Sequence, residues 1–230
     1  MLHSSICNSV SRLVDANFRA RPAGAAESAN WWLDLLSIII FGAAAGLSMG
    51  LYTGGLHLVY VATKIPLLLL ASLAIVLPSM QVLGRFAGCS LDFASTSQLA
   101  LAVIARTAIV AGSLAPVTAY FALTLPQQSG SAYRAVVLSQ VCTFAVAGSV
   151  GVAALSSRLA ELLPDKRQRQ RLILVWLGIY SFVGAQVTWL LRPLLGTPGL
   201  PVEYIRSYGE RLGLESNFYI SVYRLLSNLL

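Results

Sequence analysis

The sequence predicts an all-α fold: a polytopic transmembrane helix bundle of about five spans, with a short C-terminal interfacial helix. The 230 residues are 57% hydrophobic and only 11% charged, whereas soluble domains carry about 25% charged residues. Several apolar runs exceed the roughly 18 residues that indicate a membrane span. Within the first run, glycine recurs at every fourth position. These residues, here called the glycine stripe, are Gly42, Gly46, Gly50 and Gly54.

The glycine stripe belongs to the first predicted span, residues 32–53. On a helix, residues four apart lie on one face. Each interior glycine costs about 1 kcal/mol relative to alanine in a helix in water, but in lipid every backbone polar group must bond internally, which enforces the helix. A flat glycine face then lets a second helix approach closely. We therefore interpret the stripe as the central helix-packing face of the bundle, with Trp31 and Trp32 at the membrane interface.

Four further apolar runs predict spans over residues 65–83, 99–125, 135–155 and 172–191. Pro66 suits the first turn of the second span, and Pro78 is expected to kink it near its far end. Before this span, His57, Tyr60 and Lys64 are expected in a semi-polar connection along the membrane surface.

The chain divides into three predicted regions. Residues 1–30 form a basic N-terminal tail without the apolar core of a secretory signal, and we interpret it as cytoplasmic, although its serines and arginines also suit an organellar transit peptide. Residues 31–192 form the transmembrane helical domain. Residues 193–230 form an extracytoplasmic loop and an amphipathic helix, because the apolar face at 216–230 is too short to span and suits the interface.

The densest cluster of positive charge follows the fourth span, between residues 158 and 171. Cytoplasmic loops are enriched in lysine and arginine, so we expect this loop and the amino terminus in the cytoplasm and the carboxyl terminus outside. Contact with anionic lipid or with an acidic partner is the alternative use of this charge. The residues concerned are Arg158, Lys166, Arg167, Arg169 and Arg171.

Polar residues inside the predicted spans form a possible intramembrane polar site. A charge within a span is costly and often functional, but Arg106 also lies close enough to the predicted cytoplasmic surface for its head group to snorkel to it. Asp34 lies at a similar depth and is the best-placed partner for Arg106. Gln140 and Gln186 are expected to hydrogen-bond between helices.

The sequence was compared with the motifs of enzymes, metal sites and nucleic-acid-binding proteins. HExxH and the P-loop do not occur in the sequence, GxSxG occurs only as residues 46–50 within the first predicted span, and acids are scarce in the spans, so we expect no enzyme activity. Cys7, Cys89 and Cys142 are far apart and lack CxxC spacing; neither a disulfide framework nor a metal site is expected, and Cys142 is expected to pack as a small residue. We expect no cofactor.

No aromatic-plus-basic nucleic-acid motif occurs in the sequence. The expected partners are therefore the lipid bilayer and a membrane-protein partner or a second copy of the chain.

Two stretches carry a resemblance to known families. Residues 64–84 contain KIPLLLL and LPS, and residues 191–203 contain LRPLLGTPG. Together with the glycine stripe, they resemble a family of uncharacterised bacterial polytopic inner-membrane proteins, over residues 31–230. The five-span layout with a cytoplasmic amino terminus is similar to that of Yip-type domains, which are linked to membrane trafficking and scaffolding. The resemblance implies a location in the inner membrane and supplies no catalytic residues.

Two functional hypotheses follow. The first is a scaffold or assembly component of a membrane complex, indicated by the glycine stripe, the short loops and the lack of catalytic groups. The alternative is a small transporter or lipid-handling membrane protein, indicated by Arg106 and by the prolines Pro78 and Pro116. A dry bundle whose glycines face a neighbouring helix would favour the scaffold, whereas a polar path between helices would favour the transporter.

Overall fold

The computed structural model describes residues 31–88, 92–126 and 130–194, together with Tyr204. All regular structure in these ranges is α-helical. The helices are α1 (Trp31–Gly50), α2 (Leu56–Phe86), α3 (Phe93–Ser113), α4 (Ala115–Thr124), α5 (Gly130–Leu162) and α6 (Lys166–Leu190). The predicted N-terminal tail (1–30) and the predicted interfacial helix (216–230) lie outside the described residues.

Five of the helices, all except α4, are long and apolar enough to cross a membrane. The predicted fold class, an all-α multi-pass bundle, is therefore confirmed. The 31 residues of α2 extend about 46 Å at 1.5 Å per residue, whereas the hydrocarbon core of a bilayer is about 30 Å thick. This helix must therefore tilt or project beyond the hydrocarbon.

Helix α1 lies at the centre of the bundle, packed against α2, α3 and α4. The other long helices pack around this group, α5 mainly on α3 and α6 mainly on α2. The largest buried cluster joins Ile38 of α1, Val61 of α2 and Ala105 of α3 with residues of α5 and α6. In lipid, such an interior is stabilised by close packing of side chains and backbones rather than by exclusion of water.

The connection between α1 and α2 is a tight turn built on two glycines. Gly54 and Gly55 have φ angles of +73° and +59°, a left-handed conformation that glycine adopts without the steric cost that a Cβ would bring. The chain therefore reverses direction between Gly50 and Leu56. The first predicted span ends at residue 53, close to this turn, but α2 then begins earlier than expected.

Two aspartates cap the helices that follow turns. Asp92 precedes α3 and accepts a hydrogen bond from the backbone N–H of Ser95 at 3.0 Å. Asp165 precedes α6 and accepts one from the backbone N–H of Arg167 at 2.9 Å. Each cap satisfies a donor that the first turn of a helix leaves free. Hydrogen bonds from the side chain and the backbone of Ser95 lower the pKa of the Asp92 carboxyl below its ordinary value of 3.8.

Three sequence-based boundaries were wrong. Residues 56–64 form the first turns of α2 rather than a surface connection, so Pro66 lies inside a helix and not in its first turn. The span predicted at 99–125 is divided into α3 and α4, because Pro116 lacks the N–H that would bond to the carbonyl of Gly112 and its ring collides with that carbonyl. The basic stretch 158–171 is the end of α5, a three-residue turn at 163–165 and the start of α6.

The bundle has two ends, which are named here for their contents. The basic end contains the α5–α6 turn, the end of α2 and the start of α3. The loop end contains the α1–α2 turn and residues 193–194, which follow α6. Both α1 and α3 run from the basic end to the loop end, as shown by contacts of Phe41 with Gly112 and of Ser48 with Thr118.

Candidate functional site

The middle of the glycine stripe lies against the backbone of α2. A Cβ built at Gly46 would lie 2.8 Å from the Cα of Ala62 and closer still to the carbonyl oxygen of Val61. A Cβ built at Gly50 would lie 2.6 Å from the Cα of Leu58. Real Cβ atoms essentially never come within 3.0 Å of such atoms. Only glycine therefore fits at Gly46 and Gly50 with the backbones at this separation.

The stripe continues in register to Gly42, where a Cβ would lie 3.3 Å from Cγ of Pro66. The α2 residues that meet the stripe, Leu58, Ala62 and Pro66, are themselves four apart. They appear in reverse order relative to the glycines, so α1 and α2 pack antiparallel with one face of each helix along the seam. Gly54 departs from the predicted packing role, because it lies in the turn after α1 and a Cβ there would have no neighbour within 4 Å.

Two further glycines, outside the stripe, make close contacts. On α3, a Cβ at Gly112 would lie 2.6 Å from the carbonyl oxygen of Phe41 on α1. On α5, a Cβ at Gly151 would collide with Oγ1 of Thr107 on α3. A single glycine lacks the four-residue period that reveals the stripe, so that period does not identify these two. The crossings of α1 with α2, of α1 with α3 and of α3 with α5 all depend on a glycine.

Two buried polar side chains of α2 bind the chain that follows α6. His57 is 1% exposed and its Nε2 lies 3.1 Å from the carbonyl oxygen of Leu194; because a carbonyl only accepts, Nε2 carries the proton. Lys64 is fully buried and its Nζ donates to the carbonyl oxygen of Pro193 at 2.8 Å. These residues are seven apart and so share one face of α2. They form a polar tie at the loop end, which the sequence reading did not predict.

Tyr204 extends this tie outward. Its ring packs edge-on against Tyr60, with centroids 5.2 Å apart, and its hydroxyl lies 3.3 Å from Oγ1 of Thr63. The Lys64 ammonium lies 5.2 Å from the centroid of the same ring, within the range of a cation–π interaction. The buried charge of Lys64 is thus stabilised by a carbonyl oxygen on one side and an aromatic ring on another.

A hydroxyl pair joins α1 to α4. Thr118 is 1% exposed, and its Oγ1 donates to Oγ of Ser48 at 2.8 Å. The Ser48 hydroxyl in turn donates to the carbonyl oxygen of Ala45 at 2.7 Å. In an apolar interior both hydroxyls need partners, and each supplies one to the other. The pair fixes α4 against α1 just beyond the break between α3 and α4.

The four residues of the predicted intramembrane polar site lie on four different helices. Asp34 is buried in the first turn of α1, Arg106 is half-buried on α3, Gln140 is buried on α5 and Gln186 is half-buried on α6. The amide nitrogen of Gln140 has no hydrogen-bond partner among the described residues. The predicted hydrogen bonds of Gln140 and Gln186 between helices stay predictions.

The rise of the helices puts Asp34 and Arg106 at similar distances from the contact of Phe41 with Gly112. Phe41 meets Gly112 where α1 and α3 run parallel. At 1.5 Å per residue, Asp34 lies about 10 Å from Phe41 towards the basic end, and Arg106 about 9 Å from Gly112 in the same direction. A direct Asp34–Arg106 ion pair stays a prediction.

The predicted basic cluster is divided by the structure into two groups. Lys166, Arg167 and Arg171 are exposed on the first turns of α6. Arg169 turns back and its guanidinium donates to the carbonyl oxygen of Leu163 at 3.0 Å, so it closes the α5–α6 turn. Arg158 lies half-buried more than a turn away on α5. Only the exposed group can offer its full charge to a ligand.

Arg167 and Arg171 line a surface groove of about 530 Å³ between the end of α2 and the start of α6. Gln168 bridges the two helices there, with its side-chain nitrogen donating to the carbonyl oxygen of Ala87 at 2.6 Å. Cations at a helix N-terminus oppose the helix dipole, at a cost of about 0.3–1 kcal/mol each. Their presence at this position therefore requires a compensating interaction, which Asp165 supplies in part by capping α6.

An apolar cavity of about 270 Å³ lies between α2, α3, α5 and α6. A hydroxyl at its wall, that of Thr107, already donates to the carbonyl oxygen of Val103 at 3.1 Å. A Cβ at Gly148, which also lines the cavity, would have no neighbour within 4 Å. Other lining residues are Leu73, Ile104, Phe144, Trp176 and Tyr180.

In the described ranges, no group of three or more His, Cys, Asp or Glu side chains could hold a metal ion. Cys142, expected to pack in the interior, is exposed on α5 with a free thiol. No protein-family model, curated protein or solved structure matches the chain.

Proposed function

We propose that the protein is a non-enzymatic scaffold or assembly component of a membrane complex. The observation that supports this best is the backbone contact of α1 with both α2 and α3, at Gly46 and at Gly112. Helices packed this closely cannot shift past one another without losing many contacts at once. Such a core suits a rigid platform that holds other proteins in position.

Transport is a weaker proposal, because a transport path needs polar lining or water. The cavity between the helices is apolar, and the Thr107 hydroxyl at its wall is bonded to its own helix. Lipid handling is the second candidate function, and the observation that favours it is this same cavity. A lipid-handling protein needs an apolar volume that a ligand can enter from the bilayer.

For the location, we propose the bacterial inner membrane, with the basic end in the cytoplasm. The exposed cations Lys166, Arg167 and Arg171 support this orientation, because lysine and arginine are enriched on the cytoplasmic side. Helix α1 starts at the basic end, so the amino terminus lies on the same side. Helix α6 ends at the loop end, so in this orientation we infer that the carboxyl terminus lies outside.

Contact with a partner is assigned to two surfaces. The groove beside Arg167 and Arg171 suits an acidic protein segment or a lipid phosphate, since guanidinium groups bind carboxylate and phosphate oxygens in pairs. The outward faces of α4, α5 and α6 suit a partner helix or a second copy of this chain. Each has a largely exposed leucine, at Leu123, Leu138 and Leu174.

The test places a photoreactive amino acid at Leu123, Leu138 or Leu174 in the full chain and irradiates native membranes. A scaffold is expected to give an adduct of one discrete mass from at least one face. An adduct of twice the chain's own mass identifies a second copy, and another discrete mass identifies a different protein. Lipid adducts alone from all three faces would contradict the scaffold proposal.

Charge reversal separates the groove from the helical faces. We expect Arg167→Glu combined with Arg171→Glu to lower the yield of the protein adduct if the partner reaches the basic end. Arg134→Glu, an exposed position on α5 towards the loop end, is the matched control and should leave the yield unchanged. Both variants should unfold like the original chain, because these side chains are exposed. Since Arg167 and Arg171 also support the proposed orientation, the sidedness of the double variant is checked by cysteine labelling at Gln168.

A further inference from the structure

The apolar cavity contains two hydrogen-bond donors without partners. Trp176 is 2% exposed, and its indole Nε1 has no hydrogen-bond partner within the described ranges. The buried hydroxyl of Tyr180 likewise has none there. An indole N–H can only donate, and a tyrosine hydroxyl usually finds a partner when it is buried. Both side chains line the cavity, so their unsatisfied groups belong to its wall.

The two side chains are neighbours on α6. Trp176 and Tyr180 are four residues apart on α6, so they occupy one face on successive turns. A carbonyl oxygen has two lone pairs and can accept from two donors. Apart from Thr107, whose hydroxyl is bonded to Val103, the rest of the wall is apolar, with Leu73, Ile104 and Phe144 among its members. The site therefore has an apolar body with two free donors on its α6 wall.

The size of the cavity suits a small organic molecule. An engineered apolar cavity of about 150 Å³ binds benzene, and pockets for ligands generally begin at about 300 Å³. The volume here, about 270 Å³, lies between these values. A Cβ at Gly148 would have no neighbour within 4 Å, so α5 leaves open space at this position. One turn further on, Gly151 is in tight contact with α3.

We propose that the cavity binds one small apolar carbonyl compound dissolved in the bilayer, with Trp176 and Tyr180 donating hydrogen bonds to its oxygen. The apolar body replaces the dispersion contacts that an empty cavity forfeits. The carbonyl satisfies the donors, which the hydrocarbon of a bilayer cannot do. This site is independent of the proposed scaffold function, because it faces the interior and not a partner.

Benzophenone, an apolar ketone that forms covalent adducts on irradiation, is the probe. The full chain is reconstituted in lipid nanodiscs, irradiated with benzophenone, and the modified residues are located by mass spectrometry. Fluorenone and fluorene, which differ only by the carbonyl, are the competitors. We expect adducts on cavity residues of α5 and α6, and competition by fluorenone at a severalfold lower concentration than fluorene. Adducts confined to outward-facing positions, or equal competition by the two compounds, would overturn the proposal.

Conservative variants test which side chain donates a hydrogen bond to the carbonyl of the ligand. Tyr180→Phe and Trp176→Phe should each weaken competition by fluorenone about 2- to 12-fold, the range of one net hydrogen bond, and leave fluorene unchanged. Unchanged fluorenone competition in both variants would show that the donors do not recognise the carbonyl, as when a water molecule satisfies them. Gly148→Leu fills the cavity and should abolish competition by both compounds; if it fails to fold, the two phenylalanine variants still decide the question.

Discussion

Adding one methyl group at two glycines should have opposite effects on stability. At Gly46 the methyl carbon would lie 2.8 Å from Cα of Ala62 and even closer to the carbonyl oxygen of Val61. At Gly148 it would meet no atom within 4 Å. Both positions are inside helices that are long and apolar enough to cross a membrane. Gly46→Ala and Gly148→Ala are therefore the same chemical change in two opposite packing environments.

The magnitudes follow from two terms. Replacing an interior glycine by alanine favours a helix by about 1 kcal/mol, and this term is common to both variants. Overpacking typically costs about 1–3 kcal/mol, and at Gly46 it falls on backbone atoms that cannot rotate away. We expect Gly148→Ala to stabilise the protein by up to about 1 kcal/mol and Gly46→Ala to lie about 1–3 kcal/mol below it. The helix term cancels in that difference, which therefore isolates the α1–α2 contact.

The assay is the free energy of unfolding in mixed micelles titrated with a denaturing detergent. Gly50→Ala, with its nearest contact at 2.6 Å, should resemble Gly46→Ala, while Gly42→Ala, with its nearest contact at 3.3 Å, should be closer to neutral. A larger change, Gly46→Leu against Ala44→Leu, should widen the gap. If Gly46→Ala is as stable as Gly148→Ala, α1 and α2 do not pack through these glycines and the reasoning fails.

Four further outcomes are expected. Lys64→Met removes the charged hydrogen bond at the loop end and should destabilise by about 1.5–3 kcal/mol, while Thr63→Val on the exposed side should change the unfolding free energy little. The cap hydrogen bonds lower the pKa of Asp92 in the folded state. They therefore stabilise the fold fully above the unfolded pKa of 3.8, and this stabilisation is lost as the pH falls below that value. In Asp92→Asn, the loss of stability at acid pH that comes from this group should disappear. A cysteine at Gln168, in a chain without its native cysteines, should react only with reagent on the cytoplasmic side, and labelling only from outside would reverse the proposed orientation. Arg106→Ala should insert normally and lose about 1 kcal/mol of stability, whereas loss of partner adducts in a stable Arg106→Lys variant would indicate a recognition site.

The fold class and the packing face of α1 could be predicted because their signals are local, whereas the helix that packs on this face could not. Apolar runs report the length of a span directly, and a glycine at every fourth residue reports one face of a helix. The residues at which the helices begin and end were harder to predict. Lys64 interrupts an otherwise apolar run, and a lysine is normally excluded from the interior of a span, so the start of α2 was placed after it.

The contacts that stabilise Lys64 inside a span cannot be predicted from the local sequence. Its acceptor, the carbonyl of Pro193, is 129 residues away, and a backbone carbonyl carries no residue-type signal. The same holds for Gly112 and Gly151, whose partners lie on helices separated from them in sequence. Packing between distant helices decides such contacts, whereas periodicity and composition describe only one helix at a time.

The attachment of α6 also accounts for the cavity. At the basic end, Gln168 donates to the carbonyl of Ala87 just after α2, and at the loop end Lys64 of α2 donates to Pro193 just after α6. Helix α6 is thus hydrogen-bonded to the α2 region near both of its ends, whereas it packs less extensively against α5. Gly148 on the facing side of α5 fills none of the remaining space. A cavity between α5 and α6 is the geometric result, and releasing either fastening should let α6 settle towards α5 and reduce the volume available to a ligand.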